Sequence, residues 1–333
     1  MPDLLSLDDI RAAAARIAGV TRVTPLIEAR ELKAWGGPDG VSLLLKCENL
    51  QLGGAFKIRG AYNMAAGLPE SARRAGLLTY SSGNHGLAIA ITARRLGIPA
   101  VIVMPTTAPA VKVEGARALG AEVLFEGTTT IERKTRAEAE AARRGLTIVP
   151  PFDHLQITAG QGTIGLEILD QCPTVATVYV QMGGGGLISG ISAALKRSRP
   201  SVHVVGVEPV GSARMTASLA AGHPVTIPMT PGIADGLLAV RPGDITFHHV
   251  QAFVDRVVTI DDRAIVAALQ WVFRQAKLVV EPSGAITVAA ALADAAAGRI
   301  DPGGPVVAVL SGGNVEPQAF TEYLSCDLAK VAL

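Results

Sequence analysis

The sequence is poor in cysteine, aromatic residues and net charge, and each shortage excludes a class of protein. The three cysteines, Cys47, Cys172 and Cys326, are far apart in 333 residues and predict neither a disulfide framework nor a zinc site. Aromatic residues make up 4% of the chain and the formal net charge is +1, so a basic, aromatic-rich nucleic-acid surface is not expected. We expect a cytoplasmic protein that acts on a small molecule.

Long apolar runs are also missing. Glycines or charged residues interrupt every hydrophobic stretch before it reaches the roughly 20 residues that a membrane-spanning helix needs. Residues 1–9 carry acidic groups where a secretory signal has a basic segment followed by an apolar one. The sequence therefore predicts neither a membrane partner nor export by that route.

Glycine and alternating apolar segments are abundant instead. The chain contains 36 glycines and is 49% hydrophobic, which is typical of α/β proteins. Strand-like and helix-like segments alternate, which predicts an α/β fold with two open, twisted, mainly parallel sheets flanked by helices. Pro150 and Pro151 mark a plausible hinge, because two prolines cannot extend a helix or a central strand. The expected division is a large domain, residues 1–75 and 152–333, with a small mobile domain, residues 76–151, inserted in it.

One lysine is distinguished by its neighbours. Lys57 lies between Phe56 and Ile58, shortly after a glycine pair. Facing a cleft among apolar side chains, it would lose hydration, which lowers the pKa of the amine as an imine-forming lysine requires. The same pattern is also typical of an exposed lysine whose stem covers apolar surface. We expect the Arg59 side chain to point outward or to another partner. The hypothesis for Lys57 also requires a carbonyl compound with which the amine can form an imine.

Three turns rich in small residues provide a place for such a partner. Each follows an apolar strand and opens a helix, at Tyr80–Gly86, Gln181–Leu187 and Leu310–Val315. The carboxyl ends of strands in open α/β sheets converge where ligands bind. A single turn of this kind is ordinary, but three of similar design indicate a binding site.

The second turn suits a phosphate group. Gly183–Gly186 exposes backbone amides at the start of a helix, where the dipole favours an anion. The spacing is neither that of a dinucleotide fingerprint nor that of a nucleotide P-loop. A monophosphate site together with an imine-forming lysine is what pyridoxal phosphate requires. Asn84 and Ser311 offer polar groups to its ring.

Seven motifs, in order along nearly the whole chain, carry a resemblance to a known family. They are Ala55–Ala61, Ser81–Gly86, Ala159–Thr163, Gly183–Gly186, Ala234–Gly236, Glu281–Ala285 and Ser311–Asn314. Together they resemble the serine/threonine ammonia-lyase (dehydratase) and serine racemase family, which are tryptophan-synthase-β-like, fold type II pyridoxal-phosphate enzymes.

The resemblance implies a role for each predicted site residue. Lys57 would bind pyridoxal 5'-phosphate covalently and remove the α-proton, and Ser82 would be a second acid/base on the opposite ring face. The other implied cofactor contacts are Phe56 against the ring, Asn84 at the ring hydroxyl, Ser311 at the pyridine nitrogen, and Gly183, Gly184, Gly185, Gly186 and the Leu187 amide at the phosphate. The implied contacts with the substrate carboxylate are Ser81, Ser82, Gly83, Asn84 and His85, with Arg133 as a further candidate.

The implied reaction is the conversion of L-threonine, L-serine or a related β-hydroxy amino acid to a 2-oxo acid and ammonia. A neutral serine at the pyridine nitrogen leaves that nitrogen unprotonated in our hypothesis, which favours loss of a β-leaving group. Serine racemase and a hydroxyaspartate-type ammonia-lyase stay open as alternatives, with a non-catalytic, cofactor-binding homologue as a remote one. Relatives of this kind form homodimers or homotetramers, so we expect a homo-oligomer.

Two positions depart from the family pattern. Ala55 stands where the family usually has a serine before Phe-Lys. Divalent-cation-binding relatives have a carboxylate six residues after the position of Glu208, but this chain has Arg214 there. A guanidinium cannot ligate a metal ion and can supply positive charge itself, and no histidine or cysteine cluster surrounds His85. We expect no metal in the site.

Overall fold

Two sheets organise the chain. The computed structural model describes residues 3–327. In spatial order, the larger sheet contains β1 (Leu26–Glu31), β2 (Ser42–Lys46), β10 (Val306–Val309), β7 (Thr177–Gln181), β8 (His203–Pro209) and β9 (Arg256–Ile260). The smaller sheet contains β5 (Glu122–Phe125), β4 (Ala100–Met104), β3 (Leu77–Thr79) and β6 (Thr147–Ile148). Neighbouring strands are parallel except β1 and β2, which confirms the predicted fold class.

Helices flank both sheets. They are α1 (Leu7–Ile17), α2 (Lys57–Ala66), α3 (Glu70–Ala75), α4 (Asn84–Leu96), α5 (Ala110–Ala118), α6 (Thr130–Arg144), α7 (Leu155–Gln171), α8 (Gly186–Ser198), α9 (Arg214–Ala221), α10 (Asp244–Phe253), α11 (Asp262–Trp271), α12 (Pro282–Ala296) and α13 (Pro317–Ser325). Among the helices described, none has both the length and the apolar character needed to cross a bilayer. The central strands β4 and β7 are buried along their whole length, as expected of parallel strands covered on both faces.

The sequence patterns missed the two edge strands of the larger sheet. Strand β1 carries charged residues and bulges between Glu28 and Arg30 where it pairs with β2. Strand β9 is only partly buried at the opposite edge. Neither strand has the continuous apolar run that marks a buried parallel strand, because an edge strand needs to bury less of its surface.

Helix α2, which begins at Lys57, packs against the smaller sheet's layer. Its residues Ile58, Ala61, Met64 and Ala65 belong to the same buried apolar cluster as residues of α4 and of strands β3 and β4. The helix precedes the smaller sheet in sequence but shares its core. The lysine therefore sits where the two sheet layers meet.

The predicted outward orientation of the Arg59 side chain is wrong. The other expectation, that Arg59 contacts another partner within the protein, is confirmed. Its guanidinium is fully buried, with Nε 2.8 Å from a Glu48 carboxylate oxygen and Nη1 2.6 Å from a Glu167 oxygen. Lys46 Nζ lies 2.6 Å from the other Glu167 oxygen. These carboxylates hold the pKa of Arg59 above its usual value despite burial. The cluster fixes the first turn of α2, two residues from Lys57.

Candidate active site

All three predicted turns line one cavity. It has a volume of about 610 Å³, within the usual size range of small-molecule sites. The predicted residues that line it are Phe56, Lys57, Ser81, Ser82, Gly83, Asn84, His85, Arg133, Gly183, Gly184, Gly185, Gly186, Leu187 and Ser311. A second cavity, of about 270 Å³, lies at the amino ends of β7, β8 and β9 and contains none of these residues.

Backbone hydrogen bonds tie the lysine segment to the third turn. The Phe56 N–H donates to the Ser311 carbonyl at 3.0 Å, and the Gly313 N–H donates to the Gly54 carbonyl at 2.9 Å. Gly54 has a φ of 73°, and a Cβ there would lie 2.4 Å from the Asn314 side-chain oxygen. Both the backbone conformation and the close approach therefore require glycine.

The Lys57 amine lines the cavity beside the Phe56 ring. Its Nζ donates to the Pro151 carbonyl at 2.7 Å and lies 5.0 Å from the centre of the Phe56 ring. Burial lowers the pKa of Lys57 to about 8, and the nearby Glu281 charge partly opposes this shift. A substantial fraction of the amine is therefore neutral near physiological pH.

The glycine loop offers unpaired donors to an anion. The amide N–H groups of Gly184, Gly185, Gly186 and Leu187 have no acceptor in the part of the chain described. They surround the start of α8, where the helix dipole is positive. A Cβ on Gly184 would lie 2.4 Å from the Phe152 ring, so the loop has no room for a side chain. This arrangement fits the phosphate group of pyridoxal phosphate.

Within the described residues, the first turn contains one hydroxyl without a hydrogen-bond partner and one imidazole that is already hydrogen-bonded. Gly83 precedes α4, and the Ser82 hydroxyl has no hydrogen-bond partner among residues 3–327. The His85 Nε2 donates to the Val149 carbonyl at 2.9 Å. Burial and the Lys57 charge lower the pKa of His85 to about 3, so the ring stays neutral. Its side chain connects α4 to the end of β6 rather than facing a substrate.

Arg133 also lines the cavity, at the start of α6. Its guanidinium donates to the Thr128 carbonyl at 3.2 Å and to the Thr130 hydroxyl at 3.0 Å. Its Nε is buried and has no partner in the described structure. Each terminal guanidinium nitrogen makes one hydrogen bond and carries a second N–H that can donate to an anionic ligand.

The third turn contributes a hydroxyl. Ser311 is 3% exposed and lines the cavity. Its Oγ makes no hydrogen bond within the described residues. The hydroxyl therefore remains available to a ligand heteroatom such as the pyridine nitrogen.

Sequence reasoning missed Glu281 as a member of the site. Its carboxylate lines the cavity and accepts from the Asn84 amide nitrogen at 3.0 and 3.1 Å. Burial raises the pKa of Glu281 to about 7, and the Asn84 hydrogen bond partly opposes this shift. The available signal was an acidic residue directly before the proline that opens α12.

Arg214 lies under the glycine loop. It is fully buried, and its Nη1 donates to the carbonyls of Met182 at 3.0 Å and Gly183 at 2.9 Å, while Nη2 donates to the Leu237 carbonyl. The same Nη1 is 3.8 Å from a Glu208 oxygen. No group of three or more potential metal-binding side chains occurs between residues 3 and 327, and the absence of a metal stays a prediction.

Comparison with known proteins decides the family. The profile of the family described as pyridoxal-phosphate dependent enzyme matches residues 17–312. The chain belongs to this family. Its cofactor is pyridoxal 5'-phosphate, and the resemblance drawn from the motifs is confirmed.

Family members with two different activities are similar to this chain. L-Threonine ammonia-lyase of Thermotoga maritima is 40% identical over 328 residues, covering 98% of this chain and 80% of that protein. Serine racemase of Oryza sativa subsp. indica is 39% identical over 320 residues, covering 96% and 93%. The solved structure of maize serine racemase matches with a TM-score of 0.90 and 38% identity, covering 96% and 97%. These similarities support a pyridoxal-phosphate-dependent enzyme rather than one particular reaction.

Proposed function

We propose that this enzyme is an ammonia-lyase (dehydratase) that converts L-threonine, L-serine or a related β-hydroxy amino acid to a 2-oxo acid and ammonia. The observation that carries the proposal is the Lys57 amine, with its pKa lowered to about 8, in one cavity with the unpaired Ser311 hydroxyl. The lysine is suited to proton transfer near neutral pH. The neutral serine favours departure of a β-hydroxyl over a long-lived carbanion.

The side chains have distinct proposed tasks. The bound cofactor supplies an electron sink for the α-carbon. Lys57 holds the cofactor covalently and carries the α-proton, while the glycine loop holds the phosphate. Asn84 and Ser311 contact the ring. Overall, the substrate loses its β-hydroxyl and α-proton as water, and water then hydrolyses the released enamine to the oxo acid and ammonia.

The substrate carboxylate is proposed to bind at the start of α4. Ser81–His85 line the cavity, and the hydroxyl of Ser82, which has no partner within residues 3–327, would be the acid on the ring face opposite Lys57. Lys112 and Arg133 line the same cavity. Their charges support the alternative of a hydroxyaspartate-type substrate, and the free Ser82 hydroxyl supports the alternative of serine racemase.

The remaining expectations on assembly are also proposals. We propose that residues 76–151 act as a small mobile domain between large-domain segments 1–75 and 152–333, that the protein forms a homodimer or homotetramer, and that it is cytoplasmic. The separate sheet formed by β3 to β6 supports the domain division.

Product analysis tests the reaction. The purified enzyme, saturated with pyridoxal phosphate, is incubated with L-threonine, L-serine and 3-hydroxyaspartate. We expect ammonia and oxo acid in equal amounts from at least one of them, and none from the Lys57→Ala variant. Recovery of the D-amino acid as the main product would instead identify a racemase. Recovery of unchanged substrate in every case would contradict the proposal.

A further inference from the structure

Glu281 is a buried carboxylate that lacks an ordinary structural role. It is 5% exposed and occupies the capping position of α12, yet its side chain makes no hydrogen bond to that helix. It forms no ion pair with any residue described between 3 and 327. A buried carboxylate without a cation or a capping contact lowers stability. Its position in the cavity wall, in contact with Asn84, indicates a role in the site.

The packing around Glu281 leaves its carboxylate little freedom. The neighbouring backbone of Gly312 approaches so closely that a Cβ there would lie 2.7 Å from Glu281 Oε1. The Glu281 N–H donates to the Gly312 carbonyl at 3.0 Å. The carboxylate is therefore held beside the Ser311 turn and directed toward Asn84.

A hydrogen-bond chain of fixed direction ends at Glu281. The Asn314 amide nitrogen donates to the Gly53 carbonyl at 2.8 Å and to the Asn84 side-chain oxygen at 2.9 Å. The Asn84 amide nitrogen in turn donates to both Glu281 oxygens, at 3.0 and 3.1 Å. The Gly53 carbonyl and the ionised Glu281 carboxylate, at the two ends of this chain, can only accept, so together they determine which end of the Asn84 amide faces Glu281.

This hydrogen-bond chain uses only one of the two N–H groups of the Asn84 amide. An amide nitrogen carries two N–H groups, and a single nitrogen that lies almost equally far from both Glu281 oxygens directs one of them between the two. The second has no acceptor within the described structure. Asn84 lines the cavity, so this N–H is available to a ligand there.

We infer that Glu281 is a positioning residue for the cofactor ring, because its carboxylate orients the Asn84 amide so that the free N–H meets the ring hydroxyl oxygen. This inference rests on the proposed contact between Asn84 and that oxygen. A donor at this atom stabilises its anionic form. With the cofactor bound, such a donor would favour the form in which the proton is on the Lys57 nitrogen rather than on the ring oxygen, and this form would give the yellow colour.

The charges around Glu281 define the pH range in which this orientation holds. Burial raises its pKa and the Asp235 charge adds to the shift, whereas the hydrogen bonds from the Asn84 side chain and the Asn314 backbone, and the Lys112 charge, lower it. Lys57 is also within electrostatic reach of this carboxylate. Protonation of Glu281 would let it donate a hydrogen bond, and the preference for one Asn84 orientation would weaken.

The absorption spectrum of the bound cofactor, recorded without substrate, tests the inference. In the holoenzyme, Glu281→Gln replaces an acceptor by a group that can donate or accept, so the Asn84 amide loses one of its two orienting partners and keeps only Asn314. We expect the ratio of the yellow band to the shorter-wavelength band to fall about tenfold, the effect of losing a hydrogen bond to a charged atom. Asn84→Ala should give the same change, and the double variant no further change.

The matched control is Glu316→Gln. Glu316 also contributes a carboxylate to this cavity but makes no hydrogen bond to Asn84. The spectrum of this variant should equal that of the wild type. A wild-type spectrum for Glu281→Gln would overturn the inference. If that variant does not fold, Glu281→Asp, which keeps the charge but withdraws the oxygens from Asn84, should show a smaller change of the same sign, and no change would overturn it. The absorption spectrum without substrate does not depend on which amino acid reacts. Failure of the product test would therefore not contradict the positioning role of Glu281.

Discussion

At the scale of single residues, the account rests on the protonation of Lys57. Burial removes hydration that the ammonium form needs, and the pKa of the amine falls to about 8. Only the neutral amine attacks an aldehyde. The pH dependence of cofactor capture therefore reports this one side chain.

The rate at which the cofactor-free protein captures pyridoxal phosphate should rise with pH and level off above about pH 8. Stopped-flow absorbance at several pH values measures it. The Lys57→Ala variant should not develop the yellow colour, whereas Lys112→Ala, which removes another cavity lysine, should keep the same pH midpoint. A rate that is independent of pH between 6 and 9 would show that Lys57 is not the titrating nucleophile.

Ser311 determines the protonation of the pyridine nitrogen in the same account. Replacing it with aspartate places a carboxylate at a position that is 3% exposed, where it favours a protonated ring nitrogen. We expect Ser311→Asp to raise racemisation and transamination relative to ammonia release by roughly tenfold, an effect of about one pKa unit. Chromatographic product ratios measure it, with Ser311→Thr as the control; unchanged ratios would argue against the proposed role.

Sequence reasoning found the residues that belong to recognisable local patterns and missed the role of one whose contacts are distant in the sequence. Lys57 was predicted from its apolar neighbours and the glycine turn before it. Glu281 was visible only as part of the Glu281–Ala285 motif. Its contacts with Asn84, 197 residues earlier in the chain, and with Gly312 became visible only in the fold. The hydrogen-bond partners of a side chain depend on long-range pairing that local patterns do not contain.

At the scale of elements, the glycine loop before α8 depends on the close approach of Phe152. Gly184→Ala would place a methyl group 2.4 Å from that ring, and overpacking of this kind costs about 1–3 kcal/mol. We expect pyridoxal phosphate to bind roughly five- to 150-fold more weakly, as measured by equilibrium titration.

Gly115 supplies the matched control for Gly184. It lies in α5 and lines the same cavity, but a Cβ there would meet nothing within 4 Å. Gly115→Ala should leave cofactor affinity unchanged and stabilise the helix by about 0.5–1 kcal/mol. Equal losses of affinity in the two variants would contradict the role given to the loop.

Arg214 connects the end of β7 to the Asp235–Leu237 segment through three carbonyl groups. Arg214→Met would leave those carbonyls and Glu208 without a cation, so we expect the free energy of unfolding to fall by about 3–5 kcal/mol. Urea denaturation measures this. Arg241→Met, at an exposed ion pair with Asp244, should cost at most about 1 kcal/mol.

Arg214 also leads to a prediction about divalent cations. If its guanidinium supplies the positive charge under the loop, removal of divalent cations by EDTA should change neither the unfolding midpoint nor cofactor affinity of the wild type. A fall in both that added magnesium restores would show that the chain binds a divalent cation after all.

At the scale of the whole molecule, the alternation of strands and helices was enough to predict two mainly parallel sheets. The core strands follow this pattern because both of their faces are buried. The edge strands β1 and β9 and the shared packing of α2 were not predictable in the same way. The positions of these elements depend on which apolar surfaces remain uncovered after the two sheets have formed.

The central claim is that the two sheets bring one lysine to the aldehyde of a cofactor whose phosphate is held by the glycine loop. The most direct measurement is borohydride reduction of the yellow holoenzyme, followed by proteolysis and mass spectrometry. The account predicts a single cofactor-labelled peptide with the label on Lys57. Labelling of a different lysine, or a protein that stays colourless after addition of pyridoxal phosphate, would contradict it.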